Sequence, residues 1–231
     1  MRISELFYSL QGEGTLLGVP SFFIRTTGCN LRCVWCDTPY TSWAPVGEEM
    51  SVQSIVQQAL KHPGRHAVVT GGEPLIAPEI GALTAALRDA GFHITIETAG
   101  TVAPPAAPAV ACDLMSISPK LSNSTPWDRE EGRYAAQHER LRYQPGVLRE
   151  LMLNYNYQLK FVVMAASDLD EIRALLNETG GAASQTMLMP EGIQLETLRQ
   201  RAKWMVDVCK SEGFRFSPRL HIDLFGNTRG T

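Results

Sequence analysis

Short apolar runs alternate with amphipathic helical patterns along most of this chain, and that alternation is the strongest constraint on its fold. Strand-like runs occupy residues 21–25, 66–70, 93–97, 109–116, 158–163 and 186–189, and helical patterns occupy residues 51–61, 78–91, 168–176 and 195–213. A helix between two strands returns the chain to the same edge of a sheet, which makes the strands parallel with right-handed crossovers. About six such units are too few for a complete eight-unit barrel. The sequence therefore predicts an α/β fold, a partial (incomplete) parallel β/α barrel of about six strands.

One stretch interrupts this rhythm. Residues 121–157 carry five arginines balanced by five acidic residues, and the helical pattern within them includes residues 145–154. We interpret this stretch as an insertion in a single domain that spans residues 1–231, because the length suits one domain and no linker composition divides the chain.

Charge and cysteine content exclude several classes of protein. The chain has 21 basic and 24 acidic residues, a net charge of −3 and no basic tract, which argues against binding nucleic acid by neutralising phosphates. No apolar run reaches the roughly 18 residues that suggest a membrane span, and the amino-terminal residues lack the apolar core of a signal peptide. We therefore expect a cytoplasmic protein with no nucleic-acid or membrane partner. Five cysteines, an odd number, do not indicate a disulfide framework in such a protein and point to metal binding or catalysis.

Polar clusters follow the predicted strands at their carboxyl ends, where ligands bind in parallel α/β sheets. They lie at residues 29–38, 70–74, 97–100, 116–120 and 190–192, and Lys160 lies on the fifth strand. Because the carboxyl ends of parallel strands share one edge of the sheet, we expect these turns to form one site.

Cys29, Cys33 and Cys36 form a Cys-x3-Cys-x2-Cys loop after the first predicted strand. Three thiolates on one loop suit three irons of a 4Fe–4S cluster, and soft thiolates also suit zinc. A structural zinc site needs four ligands, whereas Cys112 and Cys209 lie in apolar patterns typical of inert buried thiols. This loop alone leaves open an iron–sulfur cluster, a zinc site and a purely structural role.

Gly71-Gly72-Glu73-Pro74 ends the second predicted strand. The two glycines let the backbone approach a ligand with no Cβ in the way, and Glu73 offers a carboxylate to a cationic group. By itself the same sequence is also compatible with an ordinary strand-to-helix turn.

Taken together, the cysteine loop with Trp35 before its last cysteine and the Gly-Gly-Glu-Pro turn resemble the radical S-adenosylmethionine (SAM) superfamily. The resemblance implies that Cys29, Cys33 and Cys36 bind a 4Fe–4S cluster whose fourth iron takes the amino and carboxylate groups of SAM. It implies that Gly72 and Glu73 meet the methionine amino end and that Glu97 lies near the ribose. The SAM-binding residues expected from it are Trp35, Asp37, Gly72, Glu73, Glu97, Ser118, Pro119 and Lys120.

Further motifs restrict the resemblance to one family within this superfamily. They are Glu-Leu-Phe-Tyr-Ser-Leu-Gln-Gly-Glu-Gly at 5–14, Phe-Ile-Arg at 23–25, Cys-Asp-Thr at 36–38, Ser-Pro-Lys at 118–120 and Leu-Lys at 159–160. With these motifs nearly the whole chain is similar to the family of 7-carboxy-7-deazaguanine synthases. The resemblance implies a carbon–nitrogen lyase of queuosine biosynthesis that converts 6-carboxy-5,6,7,8-tetrahydropterin to 7-carboxy-7-deazaguanine with loss of ammonia. It also implies a homodimer and an electron donor such as flavodoxin or ferredoxin.

The same resemblance assigns the pterin substrate and a Mg²⁺ ion to named residues. Substrate contacts are expected from Leu10, Gln11, Gly12, Arg25 and Thr70, and the Mg²⁺ ligand is Thr38. A guanidinium can donate two parallel hydrogen bonds to a carboxylate, so Arg25 is suited to bind the carboxylate of the substrate. The residues alone allow other interpretations. Residues 11–14 could form a plain hairpin turn with no role in substrate binding, and Arg25 could be a solvated charge at the end of a strand. Asp37 could bind the same cation as Thr38 or simply cap the loop.

Two other classes of function make different predictions. If the chain were a radical enzyme that acts on a partner protein, we would expect no Gln-Gly-Glu-Gly motif for binding a pterin and usually further cysteines for auxiliary clusters. A non-catalytic zinc or cluster module predicts a fourth cysteine or histidine near the loop and no need for Gly-Gly-Glu-Pro. Neither fits this sequence as well as the synthase family does.

Overall fold

Nine strands form one sheet in a computed structural model that describes residues 1–231. In space the strands are ordered β3-β1-β2-β4-β5-β6-β7-β8-β9. From β2 onward each strand is parallel to its neighbour, whereas β1 is antiparallel to both β2 and β3. The strands are β1 Arg2–Leu10, β2 Pro20–Thr26, β3 Glu48–Glu49, β4 His66–Gly71, β5 His93–Thr98, β6 Leu114–Ile117, β7 Tyr157–Val163, β8 Thr186–Pro190 and β9 Arg215–Phe216.

Eight α-helices accompany the sheet, and their ends follow local sequence signals. Helix α2 begins after Ser51, whose hydroxyl accepts a hydrogen bond from the Ser54 amide. Helix α7 ends at Gly213, which has a φ of 71° that other residues adopt with strain. The helices are α1 Pro39–Ser42, α2 Val52–Ala59, α3 Ile80–Asp89, α4 Ala135–Arg142, α5 Pro145–Asn154, α6 Asp168–Thr179, α7 Leu195–Glu212 and α8 Leu220–Phe225.

The sheet does not close on itself, because β3 and β9 lie at its two edges and do not pair with each other. Strands β2, β4, β5, β6, β7 and β8 correspond to the six strands predicted from the sequence. The prediction of an α/β fold with a partial parallel β/α barrel is therefore confirmed. None of the helices combines the length and the apolar character that crossing a membrane requires.

Two parts of the fold differ from the sequence-based prediction. Strand β1 is absent from that prediction because most of its side chains are half-buried and show no clear alternation of apolar and polar residues. Strand β6 covers Leu114–Ile117 rather than residues 109–116, and no helix connects it to β5. Prolines at 104, 105 and 108 in this connection remove backbone donors and disfavour a helix.

The stretch at residues 121–157 lies between β6 and β7 and carries its own helices. Short 3-10 turns at Ser122–Ser124 and Arg129–Gly132 precede α4, and α5 covers Pro145–Asn154, the predicted bounds. Leu148 and Leu151 on α5 belong to the main hydrophobic core. The second half of the stretch is therefore part of the helical layer around the sheet.

The main core consists of 31 buried residues that lie between the sheet and its helices. Neighbouring strands each contribute a fully buried apolar side chain, such as Ile24, Val69, Ile96, Ile117 and Phe161. Burial of these side chains is the main favourable term in folding. Because apolar residues fill the middle of the sheet, the polar turns at the strand ends are left to form a site.

Candidate active site

A cavity of about 310 Å³ lies at the carboxyl edge of the sheet, where the polar turns come together. The turn between β1 and β2 and the segments after β2, β4, β5, β6 and β8 all contribute to its wall. Every residue expected at the site lines this cavity except Glu73 and Pro119. The lining members of that set are Leu10, Gln11, Gly12, Arg25, Cys29, Cys33, Trp35, Cys36, Asp37, Thr38, Thr70, Gly72, Glu97, Ser118 and Lys120.

The three loop cysteines all line this cavity. No group of three His, Cys, Asp or Glu side chains in the structure is placed to hold a single metal ion. One zinc ion needs its sulfur ligands to meet at about 2.3 Å from a shared centre. In a cubic cluster each thiolate binds a different iron, and three thiols around one cavity suit such a cluster.

Burial keeps two of these thiols protonated in the metal-free chain. It raises the pKa of Cys29 to about 11 and that of Cys33 to about 12. Thiolates, not thiols, are the metal ligands, so metal binding must release these protons. Low solvent access around these thiols also suits an iron–sulfur cluster, because the surroundings of a metal site influence its redox potential.

The start of the cysteine loop lies directly against the turn after β4. Gly28 has a φ of 100°, its amide donates to the Thr41 carbonyl at 2.8 Å, and its carbonyl accepts from the Glu73 amide at 2.9 Å. A Cβ at Gly72 would lie 2.1 Å from the Gly28 carbonyl oxygen and 2.7 Å from the Cys29 Cβ. Only glycine permits this approach of the two loops.

The Glu73 carboxylate is not among the groups that line the cavity, and the expectation that it meets a cationic group stays a prediction. The side chain is fully buried and accepts hydrogen bonds from Thr98 Oγ1 at 2.8 Å, the Ala99 amide at 2.9 Å and the Leu75 amide at 3.1 Å. Burial raises the pKa of Glu73, and these donors act in the opposite direction. The carboxylate therefore joins the ends of β4 and β5. Pro119 likewise lies outside the cavity lining.

The turn at residues 11–14 is both a hairpin turn and part of the cavity wall. The Gln11 amide donates to the Val19 carbonyl at 2.8 Å, and the Gly18 amide donates to the Gln11 carbonyl at 2.8 Å. The Gln11 side chain is buried, and its Nε2 donates to Glu97 Oε1 at 3.1 Å. The two alternatives considered for this motif are thus compatible.

Arg25 is not a solvated charge at a strand end. Its Nε donates to Glu5 Oε2 at 2.7 Å, and only 17% of its side chain is exposed. The Tyr40 hydroxyl donates to the same Glu5 oxygen at 3.0 Å. The Nη1 and Nη2 groups of Arg25 make no hydrogen bond within the chain, so they are available at the cavity wall.

A buried network of charges completes the cavity, and of its members only Lys160 was expected at the site from the sequence. Glu13 accepts hydrogen bonds from Lys160 and, at 3.1 Å, from Arg219 Nε. Lys160 and Arg219 are each 7% exposed. Burial alone raises the pKa of Glu13, but the positive charges of Lys160 and Arg219 outweigh it and hold that pKa well below its usual value.

A local signal existed for only part of this network. Lys160 is a charged residue on a buried strand, which indicates a buried partner. Arg219 and His221 line the cavity from a segment with no periodic pattern, so nothing in the sequence links them to Glu13.

The two residues after Cys36 have different environments. The Asp37 carboxylate accepts a hydrogen bond from Arg219, whose Nη1 also donates to the Gly192 carbonyl at 2.7 Å. The Thr38 hydroxyl lies 3.8 Å from Cys36 Sγ and lines the cavity. Because Asp37 is already paired with a cation, Thr38 is the better placed of the two for a metal ion.

Comparisons with known proteins agree with this geometry. The family model for the radical SAM superfamily matches residues 23–120. A 7-carboxy-7-deazaguanine synthase of Rhodopirellula baltica is 46% identical over 232 residues, covering 100% of this chain and 89% of that one. One of Halobacterium salinarum is 42% identical and covers 100% of this chain and 93% of that one. The crystal structure of QueE from Escherichia coli is 26% identical, with a TM-score of 0.65 and coverage of 95% and 94%.

The close approach at Gly72 leads to a prediction about metal loading. In Gly72→Ala the new Cβ would overlap the Gly28 carbonyl oxygen, so the cysteine loop must move. We expect the iron and sulfide bound per chain after anaerobic reconstitution to fall by about twofold or more, since a close-packed backbone cannot absorb the overlap. The control is Gly146→Ala, where a Cβ meets nothing within 4 Å. Equal iron content in both variants would contradict the prediction.

Proposed function

The chain belongs to the 7-carboxy-7-deazaguanine synthase family within the radical SAM superfamily, and from that premise we propose how its cavity serves the family's reaction. The protein is a radical SAM enzyme, a carbon–nitrogen lyase, that converts 6-carboxy-5,6,7,8-tetrahydropterin to 7-carboxy-7-deazaguanine with loss of ammonia. This reaction belongs to queuosine biosynthesis. The observation that carries the assignment is the meeting of Cys29, Cys33 and Cys36 with Gln11 and Arg25 around one cavity.

Cys29, Cys33 and Cys36 bind the 4Fe–4S cluster in this proposal, and SAM lies beside it. Together these groups supply the one-electron chemistry that activates a C–H bond of the substrate. Gly72 leaves room for the approach of the two loops, and Ser118 and Lys120 present polar groups to SAM. Lys120 Nζ lies 5.8 Å from the centre of the Trp35 ring and donates to Ser118 Oγ at 2.8 Å, which gives these side chains a common wall. Glu97 faces the ribose, and Asp37 is assigned to SAM on the strength of the family resemblance.

The turn between β1 and β2 binds the pterin ring in this proposal. The backbone of Leu10 and Gly12 and the Gln11 side chain face its amide edge, and Thr70 contacts it from the end of β4. The Glu13 carboxylate, kept ionised by Lys160 and Arg219, is an acceptor for ring N–H groups. A buried, fixed acceptor of this kind orients a ring with little loss of entropy on binding.

Arg25 holds the substrate carboxylate in this proposal. Its Nε is occupied by Glu5, which fixes the guanidinium plane, and its two Nη groups are available for a bidentate pair. Fixing the carboxylate limits how the substrate can turn while its ring rearranges.

Thr38 is the proposed protein ligand of a Mg²⁺ ion that also contacts the substrate. Mg²⁺ prefers oxygen ligands and usually keeps several waters, so one neutral hydroxyl suffices only with further oxygen atoms from the substrate. The position of Thr38 in the cavity wall supports this role.

The remaining proposals concern organisation and partners. Residues 1–231 act as one domain, a proposal based on their length, and the protein is cytoplasmic, as expected from its composition. The homodimer is carried over from the family resemblance. A flavodoxin or ferredoxin supplies the electron that reduces the cluster, because the reaction class starts from a reduced cluster.

The experiment that tests the function uses the reconstituted protein with reductant, SAM and 6-carboxy-5,6,7,8-tetrahydropterin, with the product identified by mass. We expect 7-carboxy-7-deazaguanine from the parent chain and neither cluster nor product from Cys33→Ala, because two thiolates do not hold the cubic cluster in place. Cys112→Ala is the control, since Cys112 lies outside the cavity, and it should retain both. A stoichiometric 4Fe–4S spectrum in Cys33→Ala would remove the ligand assignment.

Arg25→Ala should weaken substrate binding while SAM binding stays unchanged. A charge-assisted hydrogen bond is worth about 1.5–3 kcal/mol, so the affinity for the pterin acid should fall roughly tenfold or more. Affinities for SAM and for the pterin acid are measured by calorimetry on the loaded enzyme. Arg88→Ala is the control, because Arg88 forms an exposed pair with Asp113 away from the cavity. Equal losses for both ligands in Arg25→Ala would assign Arg25 to SAM instead.

Thr38→Ala should still cleave SAM but form less product per SAM consumed and lose stimulation by Mg²⁺. Thr38→Ser keeps the hydroxyl oxygen and should retain most of both properties. Product and cleaved SAM are quantified together across a Mg²⁺ titration. If the alanine variant responds to Mg²⁺ as the parent does, Thr38 is not the ligand.

A further inference from the structure

The cysteine loop is held from outside by the first part of the 121–157 stretch. The Arg32 amide donates to His138 Nδ1 at 3.1 Å, and the Val34 amide donates to the Ser124 carbonyl at 2.8 Å. The Trp35 indole donates to the Asn123 carbonyl at 3.1 Å. Arg32, Val34 and Trp35 of the loop therefore have their hydrogen-bond acceptors in residues 123–138.

The loop also has hydrogen bonds of its own, among them those of Arg32 Nη1, which donates to the carbonyls of Cys29 and Leu31, both at 2.8 Å. Within it the Cys36 amide donates to the Cys33 carbonyl at 3.3 Å, and the Leu31 amide donates to Cys29 Sγ at 3.4 Å. The second of these uses a sulfur that is itself a proposed cluster ligand. His138 adds to these contacts the acceptor for the Arg32 amide, the backbone donor that directly precedes Cys33.

The hydrogen bonds of His138 specify one tautomer of its ring. Nδ1 accepts from the Arg32 amide, so Nε2 carries the hydrogen and donates to Ser124 Oγ at 2.8 Å. Ser124 Oγ in turn donates to the Leu121 carbonyl at 2.6 Å. Burial lowers the pKa of His138 to about 4, which keeps the ring neutral and Nδ1 able to accept.

This chain of contacts is anchored in the barrel. Leu121 and Ser124 are buried and follow β6 closely. Asn123 Nδ2 donates to the Val162 carbonyl on β7 at 3.2 Å and to Asp168 on α6 at 2.9 Å. The cysteine loop is therefore tied to the rigid sheet through His138, Ser124 and Asn123.

We propose that His138 is a positioning residue for the cluster: it fixes the backbone between Cys29 and Cys33 so that their thiolates reach separate irons. The proposal rests on the proposed function, because it presumes that the three cysteines hold a cluster. It gives the 121–157 stretch a role in the active site, although α4 itself contributes no residue to the cavity lining.

Four variants separate this role from general stability. His138→Ala removes both ring contacts, His138→Asn retains an acceptor at the position of Nδ1, and His138→Gln retains only a donor toward Ser124. His66→Ala is the matched control. His66 is also buried, with a pKa lowered by burial to about 4, and it bonds Ser21 Oγ at 2.6 Å and Thr95 Oγ1 at 2.9 Å, away from the loop.

The first measurement is amide hydrogen exchange of residues 29–36 in the metal-free protein. We expect exchange at Arg32 to become roughly tenfold faster in His138→Ala and His138→Gln, since its half-buried amide loses its acceptor. His138→Asn should exchange close to the parent rate, and His66→Ala should leave this loop unchanged. The comparison of Asn with Gln decides the matter even if the alanine variant fails to fold.

The second measurement is the iron content and the electron paramagnetic resonance spectrum of the reduced, reconstituted protein. His138→Ala and His138→Gln should hold less cluster or give an altered spectrum, and His138→Asn should restore the parent signal. Parent-like exchange at Arg32 or parent-like spectra in both Ala and Gln variants would overturn the proposal, as would equal iron loss in His66→Ala. If the parent itself binds no cluster, the proposed function fails, while the exchange data still report whether His138 holds the loop.

Discussion

A carboxylate with no solvent contact holds the carboxyl edge of the sheet together. Glu73 accepts hydrogen bonds from Thr98, Ala99 and Leu75, and its own amide donates to Gly28 at the start of the cysteine loop. Burying a carboxylate without hydrogen-bond donors costs free energy. Separation of the ends of β4 and β5 would remove the donors of Glu73 and is therefore strongly unfavourable. The cysteine loop and the turn after β5 therefore keep a fixed relation, on which the geometry of the cavity depends.

The parts of the fold that follow from periodicity were predictable, and those that follow from pairing were not. Helix α5 has its predicted bounds at Pro145–Asn154, and the six parallel strands lie where buried apolar runs occur. Strand β1 has mixed, half-buried side chains and owes its conformation to antiparallel pairing with β2. Such pairing depends on residues distant in sequence, and a local pattern does not record it.

The candidate site shows the same division. Residues in motifs at strand ends were found because a parallel sheet brings those ends to one edge. The hydrogen-bond partners of a side chain were not predictable: Glu73 belongs to the motif, and its carboxylate accepts from Thr98 on β5. Arg219 lies in a segment without periodicity, so its pairing with Glu13 and Asp37 appears only in three dimensions.

The charge network also sets an order in which the cavity can be completed during synthesis. Glu13 is separated from Lys160 by 147 residues and from Arg219 by 206 residues. As the chain leaves the ribosome, Glu13 is made long before the two cations that neutralise it. The cavity therefore reaches its final arrangement of charges only after the segment containing Arg219, near the end of the chain, has folded.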